Sequence, residues 1–169
     1  MREPVELAIS EMNQKIKFGL ANFESYSKKL PNFQIERNIK KYVRIFGRDS
    51  ISVTNYSSLA KDELLASISD DIDVQEFKII GGGKITNKSL SKEGLEIMNV
   101  FNKCYPSEGV NSKFRADLLN VLLNNNGTSF CPSYDLIRKL KSDFLSDSVY
   151  LKNEFGIEFD EAIHSVEGG

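Results

Sequence analysis

The chain has 169 residues with no tryptophan, one histidine, two cysteines and four prolines. Each scarcity excludes something. The single histidine, His164, lies in the acidic tail 158–167; a Ser/His or Cys/His catalytic pair is therefore not expected, and His164 is expected to be dispensable. Cys104 and Cys131 stand 27 positions apart, which suggests neither a zinc site nor a disulfide framework. They are expected as buried or half-buried thiols. No apolar run approaches the ~20 residues of a membrane helix, and charges recur through the first twenty residues, unlike a secretory signal. The expected compartment is the cytoplasm, with no membrane partner. A formal net charge of −2 gives no electrostatic case for nucleic acid. Asp70, Asp71 and Asp73 lack the spacing and glycine of a calcium loop, and no metal is expected.

What is present suits a globular unit. Hydrophobic residues make up 40% of the chain, which excludes wholesale disorder, and a complete fold of this length buries roughly 68–70% of its unfolded surface. No repeat or linker divides it, so residues 1–169 are expected to form a single domain. Three- and four-residue steps through Val5, Ala8, Ile9, Met12 and Ile16 predict a helix stopped by Gly19. A looser aromatic segment carries Phe23, Tyr26 and Phe33, and a second helix on Ile35, Ile39, Val43 and Phe46 closes at Gly47. Alternation of Ile51 and Val53 with Ser50, Ser52 and Thr54 predicts a strand at 50–56, and Val74 to Ile80 is a second extended candidate. Helical stripes are expected on Leu59, Leu64, Leu65 and Ile68; on Leu95, Met98 and Phe101 behind Ser91 as N-cap; and on Phe114, Leu118, Val121 and Leu122. Pro132 and Ser133 open one long final helix through Ile137, Leu140, Phe144 and Leu151 to Gly156. The prediction is a mostly α-helical chain with one or two short strands.

Two stretches point to anion chemistry. In Arg2-Glu3-Pro4 to Ser10, proline suits the first turn of a helix, so Arg2 stands just before it and Ser10 about two turns on. A guanidinium fork and a hydroxyl beside the positive helix end can serve a dianion; a solvated arginine and an ordinary helix serine account for the same residues. In Gly81-Gly82-Gly83-Lys84, consecutive amides can face an anion with lysine adding charge. The Walker pattern fails, because it needs glycine at 78 and serine or threonine at 85, where Lys78 and Ile85 stand. A surface turn is the competing reading.

Further stretches follow in a telling order. They are Met12 to Gly19, the run Tyr42-Val43-Arg44-Ile45-Phe46-Gly47-Arg48-Asp49-Ser50-Ile51-Ser52-Val53-Thr54-Asn55-Tyr56, and Asn87-Lys88-Ser89-Leu90-Ser91 opening a late helix. With Arg2, Pro4 and Ser10, this ordered set resembles the C-terminal half of bacterial sulfotransferases that use 3′-phosphoadenosine 5′-phosphosulfate (PAPS). The resemblance covers residues 1 to 159. It implies part of a P-loop-like α/β fold, with Arg2 and Ser10 on the donor's 3′-phosphate and Gly82 and Lys84 as supplementary contacts. PAPS would be the sulfuryl donor and a carbohydrate hydroxyl the acceptor. In that family the 5′-phosphosulfate loop and the usual base lie upstream of the Arg/Ser element, and here only Met1 precedes Arg2. The resemblance thus implies a C-terminal portion, inactive by itself, with no catalytic residue assigned. A strand left at a sheet edge would favour self-association.

The alternative is a non-catalytic helical interaction module. Lys28, Lys29, Arg37, Lys40, Lys41, Arg44 and Arg48 bias one region towards basic charge. Such a face is usually solvated, though it could attract an acidic glycan.

Overall fold

The computed structural model describes residues 2–55, 88–105 and 112–159. Several helix ends fall where residue chemistry favours a boundary. Pro4 opens α1 (Pro4–Lys17), where its missing N–H leaves nothing unpaired. Gly19, at φ +76°, closes it: its N–H donates to the Ile16 carbonyl at 3.1 Å and the Leu20 N–H to Lys15 at 2.8 Å, the paired bonds of a Schellman end. α2 (Phe23–Lys28) is held by a reciprocal box, Asn22 accepting from the Ser25 N–H while the Ser25 hydroxyl accepts from the Asn22 N–H. Among the described residues the other helices are α3 (Ile35–Phe46), α4 (Lys92–Cys104), α5 (Ser112–Leu123), α6 (Tyr134–Asp143) and α7 (Leu145–Phe155), and a 3-10 turn spans Arg48–Ser50.

The chain divides into two compact units. Described residues 2–6, 32–55 and 141–159 belong to the first. Its core gathers Ile35 and Ile39 of α3, Leu151 of α7 and Ile157, with Phe33, Val43, Ile51 and Val53 packed against them. Phe33 stacks on Phe144 with ring centres 5.4 Å apart. Gln34, which precedes α3, has φ +48° and caps nothing with its side chain. Instead the Asp147 carboxylate, only 7% exposed, accepts from the Glu36 N–H at 2.9 Å and the Ile35 N–H at 3.4 Å. It thus serves as a remote cap at the positive helix end. At the far end of α7, Arg48 donates to the Glu154 carbonyl at 2.5 Å and lies over the Phe155 ring.

The second unit comprises described residues 7–31, 88–105 and 112–140. Met12 and Ile16 of α1, Tyr26 of α2, Leu95, Met98 and Phe101 of α4, and Leu122 of α5 form its core with Leu90. Asn102 is buried among them with both its amide hydrogens and its oxygen bonded: its amide donates to the Ile16 and Ala21 carbonyls at 2.7 and 2.8 Å, and its oxygen accepts from Arg115 at 2.7 Å. The Tyr26 hydroxyl donates to the Ala8 carbonyl at 2.7 Å and lies 3.1 Å from the Glu11 carboxylate. Burial first, then the Glu11 charge, push this phenol above its ordinary range.

Four expectations change. No strand occurs among the described residues: after the 3-10 turn, 51–55 run without regular structure, although Ile51 and Val53 still face the core. The single final helix is two, because the backbone breaks at Phe144 (φ −101°, ψ 8°), whose ring is buried and stacked on Phe33. On α5, Phe114 and Val121 are 59% and 67% exposed, so the stripe is buried mainly at Leu122. Cys104 and Cys131 are both exposed free thiols, since each lies at or beyond a helix end and faces away from the core. The candidates at 59–68 and 74–80, with Gly82, Lys84 and His164, lie outside the described residues.

Candidate functional site

The opening segment has the local form its residues dictate. Pro4 begins the helix with Arg2 two positions before it, and Glu6 puts a carboxylate in the first turn, where the helix dipole favours negative charge. Arg2 and Ser10 are both half-buried. Arg2 belongs to the first unit and Ser10 to the second.

The start of α4 is more elaborate. Ser91 is its N-cap, as the sequence predicts, and its hydroxyl accepts from the Gly94 N–H at 3.2 Å. The Lys92 N–H donates to the Thr128 carbonyl at 2.8 Å and the Leu95 N–H to the Ser91 carbonyl at 2.9 Å. Glu93 folds its carboxylate back on its own N–H and accepts from the Thr128 hydroxyl at 2.8 Å; these bonds, its own backbone first, hold its pKa below the ordinary value. The free amides that would make this helix end an anion site are therefore already engaged.

These bonds clamp the 124–130 loop against α4. Gly127 makes the close approach possible: a Cβ there would lie 2.7 Å from Ser91 and would strike the Glu93 carboxylate. Beside the clamp is a cavity of about 380 Å³, lined by Asn13 of α1, Ser89, Ser91, Asn125, Asn126 and Thr128 among others. Asn13 Oδ1 is buried and has no hydrogen-bond partner. Nothing in the sequence singles out Asn13. The asparagine run 124–126 is the one signal that bears on this place, and it reads equally well as a turn.

A second cavity, of about 410 Å³, lies in the first unit over Val5 and Ile157. At its edge Lys152 pairs with Glu158 at 2.8 Å, which raises the lysine pKa and lowers the carboxyl.

Part of the basic bias of residues 28–48 is engaged by local partners. Lys28 pairs with Glu24 at 2.6 Å and Lys40 with Glu36 at 2.5 Å. Arg37 donates to Gln34 at 2.8 Å, and Arg48 holds the end of α7. The ion pairs offset the charges of Lys28 and Lys40, while Arg37 and Arg48, bonded to neutral oxygens, keep theirs. Among the described residues no group of three or more His, Cys, Asp or Glu side chains is placed to hold a metal, and no helix is long and apolar enough to cross a membrane. No family model matches the chain, and no curated protein or solved structure does so significantly.

Proposed function

We propose that this chain is the C-terminal part of a sulfotransferase that moves a sulfuryl group from PAPS to a carbohydrate hydroxyl. The observation that carries the reading is where the ordered motifs meet helix boundaries. Pro4 opens α1 just after Arg2, Gly47 closes α3 in the Phe-Gly turn, and Ser91 of the N-x-S-L-S stretch caps α4. Each boundary is the one its motif's residue chemistry requires, and the three follow in the family's order.

Arg2 and Ser10 are each assigned a contact to the 3′-phosphate. They are half-buried and offer the donor types a dianion takes, a guanidinium fork and a hydroxyl. When PAPS is bound it supplies the sulfuryl group for in-line transfer, and this chain's part is to hold the donor's far phosphate. Calorimetric titration tests the reading in a polypeptide that joins the family's upstream half to this chain. Arg2→Ala is expected to weaken 3′-phosphoadenosine 5′-phosphate by roughly 1.5–3 kcal/mol and Ser10→Ala by about 0.5–1.5 kcal/mol. Adenosine 5′-phosphate should be unaffected. Equal weakening of both nucleotides would indicate lost folding and sink the assignment.

One observation favours the second reading, an interaction module. Tyr42, Ile45 and Phe46 expose 56%, 69% and 60% of their surfaces at the end of α3, an apolar cluster of the kind that partners cover. Light scattering that rises with concentration, and falls in Ile45→Lys, supports this reading; a monomer at every concentration counts against a self-associating module.

A further inference from the structure

We propose that Asn126 is a site of spontaneous deamidation, proceeding through a cyclic imide with Gly127, and that the product loosens the clamp between the 124–130 loop and α4. Asn126-Gly127 is the one Asn-Gly step in the chain. Ring closure needs the nitrogen of the following residue to reach the asparagine Cγ. A following side chain crowds that backbone conformation, and glycine leaves it open.

The structure adds what the dipeptide alone does not give. Asn126 is exposed and lines the cavity beside the clamp, so solvent reaches it. Among the described residues neither its side chain nor the Gly127 N–H makes a hydrogen bond. The flanking residues are tied: Asn124 and Asn125 donate their N–H groups to the Val121 and Leu122 carbonyls, both at 3.3 Å, and Thr128 is held by Lys92 and Glu93. The reacting pair thus occupies the joint between two anchored halves of the loop, with no hydrogen bond to break before closure. The neighbouring asparagines are worse placed. The nucleophile for Asn124 would be the Asn125 nitrogen, whose N–H is bonded, and the nucleophile for Asn125 belongs to a residue with a side chain.

The chemistry needs only water. The Gly127 nitrogen bonds to the Asn126 Cγ, the Cγ–Nδ2 bond breaks, and ammonia leaves with the proton that the glycine nitrogen gives up. Water then opens the ring at either carbonyl, leaving aspartate or isoaspartate at position 126. Both products put a carboxylate one residue from Gly127, which lies so close to Glu93 that a Cβ there would strike the Glu93 carboxylate. Like charges are then neighbours at the clamp, which disfavours both being ionised. Isoaspartate also lengthens the backbone by a methylene where the approach to Ser91 is tight. The ties put at risk are those of Thr128 to Lys92 and Glu93. None of this depends on the sulfotransferase reading.

The test is incubation of the full 169-residue chain in mildly alkaline buffer, followed by peptide mass spectrometry. Conversion at Asn126 is expected to outpace that at Asn124 and Asn125 by about tenfold or more. It should run within several-fold of the rate in the same chain unfolded by denaturant, and vanish in Asn126→Gln, whose longer side chain would have to close a larger ring. Hydrogen exchange at the Lys92 amide should rise several-fold in the converted chain and in Asn126→Asp, and stay unchanged in Asn126→Gln. Conversion at Asn126 no faster than at its neighbours, or suppressed by orders of magnitude on folding, would overturn the site. Lys92 exchange unchanged in both the converted chain and Asn126→Asp would overturn the loosening, as would equal acceleration in Asn126→Gln, which carries no new charge.

Discussion

In the first unit the start of α3 is closed by the carboxylate of Asp147 and the end of α7 by the guanidinium of Arg48, each far along the chain from the backbone it serves. In the second, the start of α2 is closed by Asn22 and Ser25, that of α4 by Ser91, and the turn after α1 by Asn102. The backbone groups left open by a helix are the same in both units. One solution uses charged groups brought from a distance; the other uses neutral amides and hydroxyls, most of them local. Local neutral caps form with the helix itself, whereas a remote charged cap exists only once the tertiary fold has formed. The start of α3 and the Glu154 carbonyl of α7 should therefore depend on charge, whereas the starts of α2 and α4, like the Gly47 and Gly156 ends of α3 and α7, depend on local hydrogen-bond geometry.

The largest expected effect strikes the second unit. Gly19→Ala forces a side chain into a left-handed position at φ +76° and into the space of the Arg115 guanidinium, which bonds Asn102. The backbone term of about 1–2 kcal/mol and the disturbed buried hydrogen bonds together predict a loss of roughly 2–4 kcal/mol in denaturant unfolding. Hydrogen exchange should accelerate first among second-unit amides. Equal acceleration in both units would break the comparison.

Next comes the remote cap of the first unit. Asp147→Ala is expected to cost roughly 1–2 kcal/mol, the scale of a lost N-cap with its charge at a helix N-terminus. Asp147→Asn keeps an acceptor oxygen and should lose less than half of that. If the two variants are equally damaging, the charge rather than the acceptor is what α3 needs, which would sharpen the contrast with Ser91.

The smallest effect concerns the loop clamp. Glu93 has a pKa below the ordinary 4.5, first through its own backbone N–H and then through Thr128. A carboxyl whose folded pKa lies below its unfolded value contributes fully above the unfolded value and is lost as pH falls through the folded one. The Thr128 tie should thus hold at neutral pH and loosen below about pH 4.5. Amide shifts of 127–129 followed from pH 7 to 3 should move in that acid range, and Glu93→Gln should remove the transition. A midpoint above 4.5 would contradict the assigned cause.

Much of the helical framework was legible because it depends on neighbours in sequence. Pro4, Gly19, Gly47 and Ser91 stand at the boundaries expected of them, and Leu95, Met98 and Phe101 face the core as their spacing requires. α2 escaped because six residues are too few to display a helical period. The alternation at Ile51 and Val53 did report burial on one side, but alternation carries no information about a pairing partner, and no ladder occurs among the described residues. At the candidate sites, Arg2 and Ser10 could be named from motif and helix start. Asn13 could not, because a single asparagine in an amphipathic helix looks the same whether or not its oxygen finds a partner.

The sequence by itself determined that the chain is mostly helical, where several helices begin and end, and which stripes face inward, because capping, glycine's left-handed freedom and apolar periodicity act within a few residues. Only the tertiary structure decided that α6 and α7 are separate, that Asp147 caps α3, that Asn102 and Arg115 join across the second core, and that Asn13 is left with an unpaired oxygen. These depend on groups from different helices, 13 positions apart for Asn102 and Arg115 and 111 for Glu36 and Asp147, meeting in a low-dielectric interior. There an unpaired polar atom is costly and a paired one specific, and residue spacing along the chain does not encode which of the two results.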